Sequence, residues 1–230
     1  MRRRTPGPST GSGRRSRVVH QVAAWCLGYP DEALLGRLPL LRSAVAEQGT
    51  SAPLTALLRF LDHLERTDPE GLRAAYVETF DLDRHQTLYL SYWTDGDTRR
   101  RGETLARFKQ RYRDSGWLVD TRGDLPDHLP MVLEYAALAD PVGGRELLAE
   151  FRPSLELIRI SLAERGSAYV DVLGAVCATL PGRGPRDRAE AMAMVGTGAS
   201  GPPTETVGVG AGPVLLGLPA FGPAATAGAR

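Results

Sequence analysis

The sequence predicts an all-α protein, a single-domain helical bundle of about seven to eight helices with disordered tails at both ends. Three observations lead there. Apolar residues recur at i, i+3, i+4 and i+7 through residues 18–180, the spacing that gathers them on one helix face. No stretch alternates like a half-buried strand for long. Leu88-Tyr89-Leu90-Ser91-Tyr92-Trp93 comes closest, and its neighbours in sequence offer it no pairing partner. Finally, the composition changes abruptly at both ends.

Residues 1–17 hold six arginines, no acid and several Gly, Pro and Ser, which reads as a disordered basic arm. The domain proper covers 18–180. Its first helices are expected over 18–27 and 31–47. Leu54, Leu57, Leu58, Leu61 and Leu64 mark the next, with Pro53 suited to its first turn. Another follows over 70–79. Leu105, Phe108 and Tyr112 mark a helix started near Asp97 or Thr98 and stopped by Gly116. Leu129, Val132, Leu133 and Ala136 mark the next. Leu147, Leu148, Phe151, Leu155, Ile158 and Leu162 predict one long helix kinked by Pro153. Tyr169, Val170, Leu173, Val176, Cys177 and Leu180 predict a last one, ended by Pro181-Gly182. Residues 181–230 carry eleven of the 26 glycines and seven of the 17 prolines, and beyond residue 190 the only charges are Glu205 and Arg230. Such a stretch buries too little apolar surface to offset its ordering entropy, so it reads as a disordered tail.

Composition narrows the function classes. With 42 % hydrophobic and 24 % charged residues, the 230-residue chain is ordinary for a soluble globular domain. A formal net charge of +1 gives no global attraction to nucleic acid or acidic lipid, so recognition must come from local patches. Cys26 and Cys177 form no C-x-x-C pair and have no His at zinc-ligand spacing, which argues for buried small hydrophobes over a metal site. No run of about 18 apolar residues exists to make a transmembrane helix. Arg14-Arg15-Ser16-Arg17 looks superficially like a twin-arginine signal, but the segment after it is too polar and too short for an export h-region. The expected location is cytoplasmic.

Three stretches are candidates for chemistry. Asp127 and His128 sit between Pro126 and Pro130 at the start of an apolar helical run. Adjacent residues do not face one another on a helix, so a direct Asp–His relay is geometrically poor. The remaining histidines, His20, His63 and His85, are scattered, and neither H-E-x-x-H nor Glu-x-x-His occurs. The pair therefore reads as a stiffened loop-to-helix junction, with Asp127 capping the following turn and the polar side chains facing outward. A metal-dependent hydrolase centred on His128 is the competing reading. The second stretch, Thr94 to Gly102, lacks the Asp-x-Asp-x-Asp-Gly and terminal Glu of a calcium loop, and reads as a turn leading into a capped helix. Its Arg99, Arg100 and Arg101 lie where the helix dipole disfavours cations, which suits pairing with acids. The third, Tyr76 to Asp83, combines aromatics with Glu78, Asp81 and Asp83, and an acid-rimmed apolar surface fits a basic amphipathic helix. No dinucleotide, phosphate-loop or nucleophile-elbow motif is present, so no catalytic residue is assigned.

Together these motifs resemble the NarJ-type chaperones, within the all-helical group dedicated to molybdoenzymes. The resemblance runs through Tyr76-Val77-Glu78-Thr79-Phe80-Asp81, Gly96-Asp97-Thr98-Arg99-Arg100-Arg101-Gly102 and Leu125-Pro126-Asp127-His128-Leu129-Pro130-Met131-Val132-Leu133-Glu134-Tyr135. It covers residues 18–180, and neither the arm nor the tail takes part. It implies a single helical domain without enzymatic activity. The implied role is a cytoplasmic chaperone that binds the N-terminal segment of the apo nitrate reductase alpha subunit. It would support molybdenum cofactor insertion, hold no cofactor stably itself, and delay membrane docking; cofactor-delivery proteins are further possible partners. The implied client-peptide site comprises Glu78, Phe80, Asp81, Asp83, Asp127, His128, Pro130, Glu134 and Tyr135, with Asp97, Arg99, Arg100 and Arg101 at a motif helix start. A chaperone for another molybdoenzyme, or a nucleic-acid binder using the arginine arm, are the alternatives.

Overall fold

The computed structural model describes residues 11–82, 86–96, 98–116 and 123–197. Those residues form eleven α-helices and two π-helical turns, with no strand among them. The helices are α1 Gly11–Cys26, α2 Glu32–Ala46, α3 Ala52–Arg66, α4 Pro69–Tyr76, α5 Leu90–Asp95 and α6 Arg99–Asp114. They continue with α7 Leu129–Glu134, α8 Pro141–Glu150, α9 Arg152–Glu164, α10 Tyr169–Cys177 and α11 Arg188–Thr197. The all-α expectation holds, and the helix count is higher than the periodicity suggests because several helices are broken.

Local chemistry explains the boundaries. Asp31 starts α2 by accepting from Leu34 N at 2.8 Å, and Asp68 starts α4 by accepting from Gly71 N at 2.8 Å. Pro53, Pro69, Pro130, Pro141 and Pro153 all occupy the first two positions of a helix, where a missing N–H costs nothing. Pro153 therefore does not kink one long helix. The chain breaks at Phe151, so the expected helix over 147–162 is two helices, α8 and α9. Gly96 ends α5 with φ +59°, a conformation other residues adopt only with strain, and its N–H donates to Tyr92 O at 2.9 Å.

The core sits among α1, α3, α9 and α10. α10 packs between α3 and α9, and α1 closes the layer against α10 and α7. Leu57, Phe60 and Leu61 of α3, Leu155 and Ile158 of α9, and Val172, Leu173 and Val176 of α10 are all buried there. Each such side chain contributes about 1.5–3 kcal/mol by leaving water. Cys26 and Cys177 are free and buried, as the sequence suggested, and burial pushes the Cys26 thiol up to about 12. α8 approaches the turn before it so closely that a Cβ on Gly144 would lie 2.4 Å from Ala136 Cα, so only glycine fits.

Both ends of the domain differ from expectation. The basic arm was expected through residue 17, but α1 already begins at Gly11. Ser16 Oγ donates to Ser12 O at 3.1 Å within the helix, and Arg17 Nε donates to Ala137 O at 2.8 Å, which ties the first half of α1 to the domain. The rest of the arm, residues 1–10, lies outside the described residues. The tail was expected from 181, but residues 181–197 are ordered onto the domain. Arg152, nearly buried, donates from Nη1 to the carbonyls of Pro181 and of Gly182, the latter at 3.1 Å. Its Nη2 lies 3.4 Å from Glu156 Oε1, and Glu156 Oε2 also receives Arg159 Nε at 2.7 Å. α11 then packs along α9. Residues 198–230 lie outside the described residues.

Candidate functional site

The second and third sequence motifs meet at the start of α7, where Arg101 and Asp127 both reach Ser91. Leu88–Leu90 runs antiparallel to Asp127–Leu129: Leu90 N donates to Asp127 O at 3.1 Å and Leu129 N donates to Leu88 O at 2.9 Å, with Tyr89 bridged to His128. The segment that looked like an unpartnered strand thus has a partner from far along the chain. Its alternating pattern ends after one bridge, where α5 begins.

Asp127 does not cap its own helix and does not face outward. Its side chain is fully buried. Oδ2 accepts from Ser91 N at 2.9 Å and from Ser91 Oγ at 2.6 Å, so it caps the start of α5 instead. Its other oxygen finds no hydrogen-bond partner among the described residues. Arg101 reaches the same serine, Nε to Ser91 Oγ at 3.3 Å, and its guanidinium lies 5.9 Å from the Tyr89 ring centre and 5.7 Å from that of Tyr92. Asp127, Ser91 and Arg101 therefore lock α5, α6 and the α7 junction together. Arg100 pairs with Asp95 at 3.6 Å, and Arg99 is exposed. Asp97 lies outside the described residues.

His128 takes the opposite direction, towards a cleft. Its Nδ1–H donates to Asp124 Oδ2 at 3.2 Å, Asp124 also accepts from Tyr89 OH at 3.1 Å, and the Tyr89 and His128 rings lie 5.2 Å apart. Burial lowers the His128 pKa, while Asp124 and Asp127 oppose that shift; the net direction is down, so the ring is neutral at physiological pH. The cleft has a volume of about 300 Å³. One wall is α7, with His128, Pro130, Met131 and Glu134, and the other is the end of α1 and start of α2, with Trp25, Tyr29, Asp31 and Leu34. Asp31, Asp124 and Glu134 put three carboxylates on a surface that is otherwise apolar and aromatic apart from Gln21 and His128. One face of Trp25 already carries a guanidinium, Arg37, at 4.3 Å, and Tyr29 is half exposed.

Of the expected site residues, His128, Pro130 and Glu134 line the cleft. Tyr135 does not: it is buried, with its ring 4.8 Å from Tyr112 and its hydroxyl 3.4 Å from Asp140. Glu78, Phe80 and Asp81 belong to a π turn, Val77–Asp81, that does not line the cleft and reaches it only through Tyr76 and Tyr29. Phe80 meets Tyr76 in a tilted contact at 5.0 Å, and Tyr76 meets Tyr29 edge-on at 5.4 Å. Glu78 and Asp81 are exposed, and Asp83 lies outside the described residues. A second π turn, Tyr135–Ala139, follows α7, so two of the three motifs end in this uncommon geometry. The sequence reading missed Trp25, Tyr29, Asp31, Asp124 and Met131. No local signal marks them, because Trp25 follows Val18 and Val22 at helical spacing and packs against the core like any stripe residue. Among the described residues, no three His, Cys, Asp or Glu side chains converge as metal ligands.

A model of the nitrate reductase delta subunit family matches residues 44–174, more than half of the chain. The chain belongs to that family. The match includes the α7 wall of the cleft and all three motifs, and leaves out the α1–α2 wall. Among relatives, a NarJ of Bacillus subtilis is 32% identical over 173 residues, 75% of this chain and 94% of that protein. The nitrate reductase molybdenum cofactor assembly chaperone NarJ of Escherichia coli K12 is 34% identical over 150 residues, 64% of this chain and 63% of that one. The nitrate reductase-like protein NarX of Mycobacterium tuberculosis is 41% identical over 162 residues, 70% of this chain, which spans only 24% of that longer relative. The family fold is also seen in the crystal structure of a candidate redox enzyme maturation protein from Archaeoglobus fulgidus. That structure superposes with a TM-score of 0.56 at 22% identity, covering 77% of this chain and 98% of the other.

Proposed function

We propose that the protein is a dedicated assembly chaperone for nitrate reductase, a non-catalytic role in which it binds the N-terminal segment of the apo alpha subunit. The observation that carries this reading is the acid-rimmed cleft built on the family's Asp-His motif. A short amphipathic client helix lays apolar side chains on Trp25, Leu34, Pro130 and Met131, and its basic side chains meet Asp31, Asp124 and Glu134. Asp127 holds the wall in place, and His128, neutral and oriented by Asp124, offers its free ring nitrogen to the peptide. Holding that segment keeps the apo subunit open for molybdenum cofactor insertion and delays membrane docking. The cofactor is the client's, and no resident cofactor is assigned to the chaperone. Such a role places the protein in the cytoplasm; among the described residues no helix is long and apolar enough to cross a membrane.

Titration calorimetry with a peptide of the client's N-terminus tests the proposal. The native protein binds, and the Asp124→Asn, Glu134→Gln variant binds at least fivefold more weakly, with the difference shrinking as salt rises. Equal affinity in the variant would sink the cleft assignment.

A further inference from the structure

We propose a second interaction surface, a basic and apolar patch formed by the first turns of α1 and the corner between α7 and α8, which fits an anionic lipid surface. It does not depend on the client-binding reading. Leu138 and Val142 stand on this corner 53% and 63% exposed, four residues apart on either side of the turn into α8. Most large apolar side chains of the domain are buried, so two beside each other at one corner need a reason.

The charge around them is mainly positive on the α1 side. Arg17 donates to Ala137 O at 2.8 Å, which fixes the start of α1 against the corner. Arg14 lies one turn earlier on the same side of α1, and Arg15 beside it is exposed. Arg145, on the first half of α8, is exposed as well, and lies close enough to α1 that its charge acts on His20. The acid within the corner, Asp140, caps α8 by accepting from Gly143 N at 2.9 Å. Glu146 is engaged from the other side, 3.8 Å from Arg111 of α6. Four arginines thus face solvent against Asp140 and Glu146, with Glu134 one turn before Leu138 on the cleft side. Arginines around aliphatic side chains suit a bilayer, where the heads meet anionic headgroups and the apolar tips enter the interface. A surface for single-stranded nucleic acid would instead interleave exposed aromatics with the arginines, and the corner's one aromatic, Tyr135, is buried. Each arginine held near an anionic leaflet strengthens binding about fivefold. Arg17 is one turn from Gln21, which lines the cleft, so the patch and the cleft lie end to end along α1.

Co-sedimentation of the full chain with vesicles tests this. The protein is expected to pellet with phosphatidylcholine vesicles containing phosphatidylglycerol, not with phosphatidylcholine alone, and to be released by salt. The Arg14→Glu, Arg15→Glu, Arg145→Glu variant is expected to bind at least tenfold more weakly with an unchanged circular dichroism spectrum. Leu138→Gln, Val142→Gln lowers binding severalfold, and it decides the matter should the charge-reversed variant fail to fold. Undiminished binding in a folded variant overturns the proposal. So does binding that is abolished by deleting residues 2–10 alone, or binding to an RNA oligonucleotide without binding to anionic vesicles.

Discussion

Replacing Asp127 with alanine should unfold the junction on which the cleft is built. The carboxylate is fully buried and accepts both hydrogen bonds that start α5, at 2.9 Å from Ser91 N and 2.6 Å from Ser91 Oγ. Alanine leaves that N–H and that hydroxyl in a dry site without their acceptor. Hydrogen bonds to a charged group contribute about 1.5–3 kcal/mol each, so the loss should reach about 3–5 kcal/mol. That is a large share of the roughly 5–15 kcal/mol that holds a domain together. With a urea m-value of about 2 kcal/mol/M, the unfolding midpoint should fall by about 2 M. The cycle with Ser91→Ala isolates the contact, and coupling above about 1 kcal/mol is expected for residues that touch. A midpoint within about 0.3 M of the native protein's would refute the reasoning, because Asp127 would then be free of the fold and available to a partner.

Two further outcomes follow from buried charge. His20 is buried against Thr179, Nε2 to Oγ1 at 2.8 Å, and burial first, then the nearby Arg145, lowers its pKa from 6.5 to about 4. Between those values the unfolded chain binds a proton that the folded one refuses, so this contribution to stability is fully present above pH 6.5 and lost as pH falls towards about 4. His20→Gln should flatten the pH dependence of unfolding over that window, by up to about 3 kcal/mol, and a slope identical to the native protein's would contradict the assignment. Arg152→Ala should release residues 181–197 and leave Glu156 with Arg159 as its remaining partner, costing about 2–4 kcal/mol in hydrogen bonds to a charged group. Amide exchange should rise first in α11, and unchanged protection there would show that Arg152 is not the clamp.

How far the sequence could be read depends on whether a feature is local. The all-α class and most helices follow from apolar periodicity, as in α3, where Leu54, Leu57, Leu61 and Leu64 are all buried. Pro153 was misread because proline signals both a kink and a first helical turn, and only the neighbouring Phe151 break distinguishes them. Arg17 for the arm, and Arg152 for the tail, hold their segments through contacts that composition does not register. The Asp127–His128 motif was found, but its two residues were given one role. The structure sends Asp127 into the protein to α5 and turns His128 out to Asp124, a division set by partners 36 residues away for the first and four for the second. Trp25 and Tyr29 were invisible as site residues because the second wall of the cleft is brought to the motif only by tertiary packing of α1 on α7.

The most direct test of the account is where a client peptide lies. A photoreactive amino acid at Met131, in the cleft, and another at Met192, exposed on α11, can each be illuminated in the presence of the alpha-subunit N-terminal peptide. The account predicts an adduct from position 131, competed away by unlabelled peptide, and none from position 192. Equal labelling from both positions, or labelling from 192 alone, would contradict it.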